Sequence, residues 1–303
     1  MTLIRRLSRN IRRHYVLYLM LLPGFLIILI FNYIPMYGIQ IAFRDYKFAT
    51  GFAGGNWVGM KYLNKFFNSF QFTSLIRNTL VVSLTTIVFS FPLPILLAIM
   101  FNKIRSKRRQ KFMQTVVYLP HFISTVVLVS IMTLMLSPSS GILGQMAARM
   151  GYKGVLMGDT NWFVPLYVIS EVWQHTGWNS IIYIAALSSI DSSIYESCYI
   201  DGANTWQVVR YIDLPSLVPT MVVLLILTMG SVLGVGFEKV YLMQNSMNLN
   251  VSEIISTYVY KIGLQSNQYS YSAAISLFNN VINFAFVFGM NMVAKRLSGT
   301  SLW

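Results

Sequence analysis

Six stretches of this chain are predominantly apolar, over residues 15–42, 75–101, 112–136, 162–190, 217–235 and 271–293, and polar residues crowd into the segments between them. A helix rises about 1.5 Å per residue, so roughly 20 apolar residues cross the ~30 Å hydrocarbon core of a bilayer. Each stretch is near or beyond that length, which predicts an all-α polytopic membrane protein with about six transmembrane helices. Pro92 and Pro94 predict a kink in the second span, where neighbouring helices must satisfy the freed carbonyls. Ahead of the first span, residues 1–14 place Leu3, Ile4, Leu7 and Ile11 at helical spacing among Arg5, Arg6, Arg9, Arg12 and Arg13. That pattern predicts a short amphipathic helix on the cytoplasmic leaflet. A cleaved signal peptide is the rival reading, but 15–42 is long for its apolar core and lacks a small-x-small cleavage site.

The polar segment 191–216 has an internal pattern of its own. Glu196 is followed by small Ser197 and Cys198, then by Asp201, Gly202 and Ala203, and later by Ile212, Leu214 and Pro215. It reads as helix, turn, helix. Gly202 supplies a flexible break, and Pro215 suits the first turn of a new helix, where its missing N–H costs nothing. Small residues beside a sharp turn let another protein's surface approach the backbone, and a carboxylate at Glu196 gives that surface a register. On spacing alone, an ordinary interfacial loop between two spans fits equally well.

Composition supports the membrane reading: 55% of the 303 residues are hydrophobic, only 11% are charged, and the mean hydropathy is +0.57. A soluble domain carries about a quarter charged residues. The single cysteine, Cys198, excludes an intrachain disulfide framework and a cysteine-based metal cluster. A net charge of +14 raises the question of nucleic acid, and its distribution answers it. Lys103, Arg105, Lys107, Arg108, Arg109 and Lys111 form one short run tethered by apolar stretches on both sides, the arrangement that sets membrane topology. The positive-inside rule puts that run, the five N-terminal arginines, Arg210, Lys295 and Arg296 in the cytoplasm. Both termini and the 191–216 segment are therefore expected inside.

Enzyme chemistry has little to stand on. The chain has no G-x-x-x-x-G-K-[ST] phosphate loop, for which Gly234-Val-Gly236 is no substitute, and no His-x-x-x-His pair, nucleophile elbow or carboxylate dyad outside the membrane. Polar residues within the spans attract more attention. Glu171, His175, Trp178, Asn179 and Ile182 share one face of the fourth span. A carboxylate at membrane depth costs roughly 2.5–3.5 kcal/mol on insertion scales, so Glu171 is expected to face protein or water. A structural hydrogen bond to a neighbouring helix and the lining of an aqueous cavity are both open. Trp173 and Trp178 offer flat faces on which pyranose rings stack, and Trp178 lies on the polar face. Lys239, beside Glu238, suits an acidic sugar or a surface ion pair. Asn279, Asn280 and Asn283 serve equally as interhelical donors or as ligands. Glu171 and His175 also fit a proton- or sodium-coupled secondary transporter, although no inverted repeat is evident.

The 191–216 segment resembles the EAA loop of binding-protein-dependent ABC importer permeases. In that family Glu-Ala-Ala and three residues precede a Gly, and nine more precede Ile-x-Leu-Pro; Glu196, Gly202 and Ile212-x-Leu214-Pro215 meet both spacings without a gap. Ser197-Cys198 replaces Ala-Ala, and both are small. Phe66-Phe67, Arg77-Asn-Thr-Leu80, Phe91-Pro-Leu-Pro94, Tyr118-Leu-Pro-His-Phe-Ile-Ser124 and Gly177-Trp178 extend the resemblance to the carbohydrate-uptake branch, most similar to permeases for complex oligosaccharides and polysaccharide fragments. It implies a type I ABC importer permease fold in a bacterial cytoplasmic (inner) membrane. It further implies a second, homologous permease, two ATPase subunits that carry the ATP and Mg, an extracellular solute-binding protein and an oligosaccharide substrate, with no cofactor in this chain. By the same resemblance Glu196, Ser197, Cys198, Asp201, Gly202, Ala203, Leu214 and Pro215 couple to the ATPase. The family's substrate-lining positions fall on Gln174, His175, Trp178, Val232, Val235, Gly236 and Lys239, which Glu171, Asn179 and Asn283 join from the polar helix faces.

Overall fold

The computed structural model describes residues 13–51, 55–234, 236–299 and 301–302, so the expected surface helix over 1–14 lies almost entirely outside the described residues. Among those described, the structure is helical, with one isolated antiparallel bridge between Arg44 and Trp57. The chain forms two compact units, one of residues 1–67 and 262–277 and a larger one of 68–261 and 278–303.

In the smaller unit, helix α1 (Tyr15–Phe43) is strongly apolar, with a mean hydropathy of 2.2 over its best window, none of which is buried by the chain itself. Its backbone widens to a π-turn over Leu29–Tyr33, two residues before Pro35. A proline cannot donate to the carbonyl one turn back, and a π-turn is one way to absorb that loss. The segment after α1 is ordered by polar contacts around α2 (Lys61–Phe67). The Tyr62 hydroxyl donates to Asp45 Oδ1 at 2.5 Å, and the Tyr46 N–H donates to Ser270 Oγ at 2.9 Å.

The larger unit contains α3 (Phe72–Asn102), α4 (Lys107–Phe122), α5 (Thr125–Met135), α6 (Ile142–Arg149), α7 (Thr160–Ser188), α8 (Ser192–Ile200), α9 (Thr205–Met229) and α10 (Phe237–Met243). The last helix, α11 (Tyr269–Ser298), gives its residues to Leu277 to the smaller unit and the rest to the larger. Helix α7 is the axis. Near its start Phe163, Tyr167 and Val168 pack with Val82, Val129 and Val240, and near its end Tyr183 and Leu187 pack with Ile95, Ala98 and Leu217. Between these layers Gly177 meets α4 so closely that a Cβ would lie 2.1 Å from the Val117 carbonyl oxygen.

Each of the six expected spans falls on a helical element of the described residues, with three physical differences. Helices α1, α3, α9 and α11 are long and apolar enough on their own, but α4 and α5 qualify only together and meet at a 92° bend. The third span, expected as one helix over 112–136, is therefore broken, and the Tyr118–Ser124 motif is the break itself: Pro120 cannot continue the ladder, and Ser124 caps the new helix. Helix α7 has 29 residues, ample length for a crossing, yet is too polar in its middle to pass on hydropathy. The fifth span, expected over 217–235, begins at Thr205 and ends at Met229.

Packing at Gly177 yields a direct test. Gly177→Ala is expected to destabilise the purified protein by about 1–3 kcal/mol, because the new methyl strikes backbone rather than a movable side chain. A fall in Tm of the detergent-solubilised variant would show it, while Gly24→Ala, where nothing lies within 4 Å, leaves Tm unchanged or slightly raised.

Candidate functional site

Two polar constructions stand out in the larger unit, one at the elbow between α8 and α9 and one midway along α7. The elbow is made rigid by its caps. Asp191 opens α8 by accepting the Ser193 N–H at 3.0 Å. At the other end the Gly202 N–H donates to the Tyr199 carbonyl and the Ala203 N–H to the Cys198 carbonyl, a Schellman motif closed by Gly202 at φ +78°. Asn204 then starts α9 with a capping box: its Oδ1 accepts the Gln207 N–H at 2.9 Å, and Gln207 Oε1 accepts the Asn204 N–H at 2.7 Å. Cys198, Asp201, Gly202, Ala203, Gln207 and Tyr211 line a groove of about 300 Å³. Glu196 and Ser197 are exposed on α8, and Ile200, Trp206 and Tyr211 are exposed apolar side chains around the turn.

Pro215 stands, as expected, in the first turn of the regular α-helical segment Leu214–Met229, and is exposed. That segment is not preceded by a free turn but continues α9 from Thr205 through a π-turn over Val209–Asp213. This is the solution already seen ahead of Pro35. Leu214 is half-buried and packs with the Leu217 cluster, so it belongs to the root of the elbow rather than its surface. The sequence reading missed Asp213, which is fully buried. Its Oδ2 lies 2.6 Å from Lys103 Nζ, and its Oδ1 accepts the Tyr195 hydroxyl at 2.7 Å. Burial and that hydrogen bond push the Tyr195 phenol up to about 12, so it stays a donor at any cellular pH. The available signal was an acid inside the apolar run Ile212-Asp213-Leu214.

Midway along α7, Glu171 Oε2 lies 2.6 Å from Lys239 Nζ on α10, whose side chain is only 4% exposed. Lys239 therefore pairs with Glu171 and is no surface partner of Glu238. His175 Nε2 lies 3.4 Å from Glu171 Oε1, and its Nδ1 is 3.1 Å from His121 Nδ1, at the α4–α5 break. The His121 ring stacks on Trp178 at 4.4 Å and 6°, with Phe122 edge-on to the same indole. Trp178 keeps a half-exposed face, so the cluster presents an aromatic platform beside ionisable groups.

The remaining expected residues separate from this cluster. Gln174 is buried, and its Nε2–H donates to the Ile123 carbonyl at 2.8 Å, which the helix break leaves without a helical partner. Asn179 faces a different groove, of about 210 Å³, shared with Phe91, Pro94 and Thr228. Asn283 Oδ1 accepts the Leu233 N–H at 3.0 Å, in the irregular stretch between α9 and α10, so it acts as an interhelical bond and not as a free ligand. Val232 is fully buried, and Val235 lies outside the described residues. Gly236 opens α10 in the left-handed region, and a Cβ there would sit 1.8 Å from the Tyr167 hydroxyl. Both constraints demand glycine. Among the described residues no group of three or more His, Cys, Asp or Glu could hold a metal ion.

Residues 90–299 match the family model of the binding-protein-dependent transport system inner membrane component. The chain belongs to that family. Relatives of this permease include Protein LplB of Bacillus subtilis, 40% identical over 95% of this chain and 91% of its own. The polygalacturonan/rhamnogalacturonan transport system permease protein YteP of the same organism is 39% identical over 99% and 93%. A solved chain from a bacterial ABC transporter involved in the import of the acidic polysaccharide alginate superposes with a TM-score of 0.89, at 39% identity, over 97% of the permease and 99% of that chain. The same transporter type has also been solved in complex with an alginate pentasaccharide-bound periplasmic protein.

Buried charge makes the α7 cluster testable. Glu171→Gln leaves the Lys239 ammonium without a counter-ion and is expected to cost about 3–5 kcal/mol. Glu171→Gln with Lys239→Met should recover most of that loss, read as Tm in a double-mutant cycle.

Proposed function

We propose that this chain is the membrane permease of an ATP-driven importer that moves oligosaccharides, fragments of acidic polysaccharides foremost, from an extracellular solute-binding protein into the cytoplasm. The observation that carries the reading is the end-to-end match, at 39% identity, to a subunit of an importer of an acidic polysaccharide. In this reading the α8–α9 elbow lies in the cytoplasm with both termini. Its groove receives one of two separate ATPase subunits, which hold the ATP and Mg, and a second permease completes the pathway. Glu196, Ser197, Cys198, Asp201, Gly202 and Ala203 form the docking face, and Leu214 and Pro215 its root. Trp178, His175 and Glu171 line the sugar path. The ion-coupled alternative is not favoured: Glu171, its would-be carrier, is held by Lys239 at 2.6 Å.

Mechanically, closure of the ATPases on ATP would pull two docked elbows together and rotate the attached spans, opening the path toward the binding protein; hydrolysis would reset it inward. No covalent chemistry occurs in the permease. Gly202→Asp places a charged side chain on the docking face, where nothing in the chain itself lies within 4 Å of the new Cβ. A loss of about 2 kcal/mol of docking energy, roughly 30-fold in ATPase affinity, is expected from disturbing such a centre. Co-purification of the ATPase and uptake of a uronate oligosaccharide would both fall, while ATP-dependent uptake by the unaltered assembly survives collapse of the proton gradient. Normal uptake by the variant would remove the elbow from the account.

A further inference from the structure

Helix α8 buries none of its side chains, so a force applied to it has few routes into the spans. Its covalent ends are two. A third route is polar and runs through Tyr195, one of two α8 residues that are not exposed. The Tyr195 hydroxyl donates to Asp213 Oδ1 at 2.7 Å, Asp213 Oδ2 pairs with Lys103 Nζ at 2.6 Å, and Asn102 Nδ2–H donates to the Tyr195 oxygen at 3.4 Å. The Lys103 ammonium also lies 5.3 Å from the centre of the Tyr195 ring. Three elements thus meet in one cluster. The elbow helix through Tyr195 and the C-cap of α3 through Lys103 both reach the Asp213 carboxylate on the π-turn of α9, and Asn102 at the end of α3 reaches Tyr195.

We propose that Tyr195, Asp213 and Lys103 form the transmission joint of this permease, positioning residues that make the elbow move as one body with α3 and α9. The inference rests on the reading of the elbow as the ATPase docking site. A fully buried carboxylate is held in one geometry by its two charged or polar partners, because neither can leave without stranding it. The neighbouring π-turn lacks the regular ladder that would otherwise stiffen the root of α9. The joint replaces that stiffness with side chains, and it gives α8, which has no buried face, a fixed orientation. Docking chemistry and transmission are then separate: the groove grips, and the joint conducts.

The test uses the complete assembly, with permease pair, ATPases and binding protein, reconstituted in proteoliposomes, and reads molecules of oligosaccharide imported per ATP hydrolysed. Tyr195→Phe deletes one hydroxyl and leaves the ring, and Asp213→Asn removes the charge while keeping the shape. Both are expected to retain bound ATPase and to hydrolyse ATP, but to import at least 5-fold fewer sugars per ATP. Lys103→Arg, which preserves the ion pair, should stay within 2-fold of the unaltered ratio. A merely structural trio would lower import and hydrolysis together and leave their ratio intact; that result, or a normal ratio in Tyr195→Phe, overturns the proposal. Absence of bound ATPase from the unaltered permease would instead strike the docking reading itself.

Discussion

A helix that carries a carboxylate, an amide and an imidazole in its middle cannot face lipid, and the larger unit is arranged around that fact. Each exposed charge at such depth costs several kcal/mol, whereas a charge that meets its counter-ion inside protein costs far less. Glu171 meets Lys239, Gln174 meets the carbonyl freed at Ile123, and His175 meets His121. Each of these bonds also fixes a neighbour. Lys239 fixes α10, Ile123 fixes the α4–α5 break, and His121 is stacked between the break and Trp178. Breaks in α4–α5 and after α9 are tolerated because polar side chains on intact helices supply the missing partners, as Asn283 does for Leu233.

The elbow obeys the opposite logic. It leaves apolar Ile200, Trp206 and Tyr211 in the open, and it gains rigidity from caps rather than from packing. The turn is rigid and has a groove beside it. One buried carboxylate, Asp213, anchors it. The chain thus keeps two charged anchors, one midway along α7 and one at the elbow, joined by the apolar layer of Tyr183, Leu187, Ile95 and Leu217 on α7, α3 and α9.

Much of this was legible beforehand. Apolar runs located six helical elements, and the Glu196–Pro215 spacing located the elbow, with Gly202 in the left-handed turn its position suggests. The observed α7 fails a strict hydropathy threshold because Glu171, Gln174 and His175 make its middle polar. Other features needed three dimensions. Lys239 looked like a neighbour of Glu238, but a helical turn sends adjacent residues apart, and its partner lies 68 residues earlier in the chain. Gln174 and His175 are adjacent in sequence and yet serve different ends, since they point about 100° apart on the helix. Pro120 and Pro215 look alike as helix breakers; one bends its span by 92°, and the other is absorbed by a π-turn.

The chain's lone cysteine allows the central claim, that an engine on the inner side grips the elbow, to be read directly. Cys198 lines the elbow groove and is partly exposed. A membrane-impermeant maleimide should label it in inside-out vesicles and not in intact cells, and bound ATPase should protect it. Labelling from the outer face, or labelling that the ATPase leaves unchanged, would contradict the account.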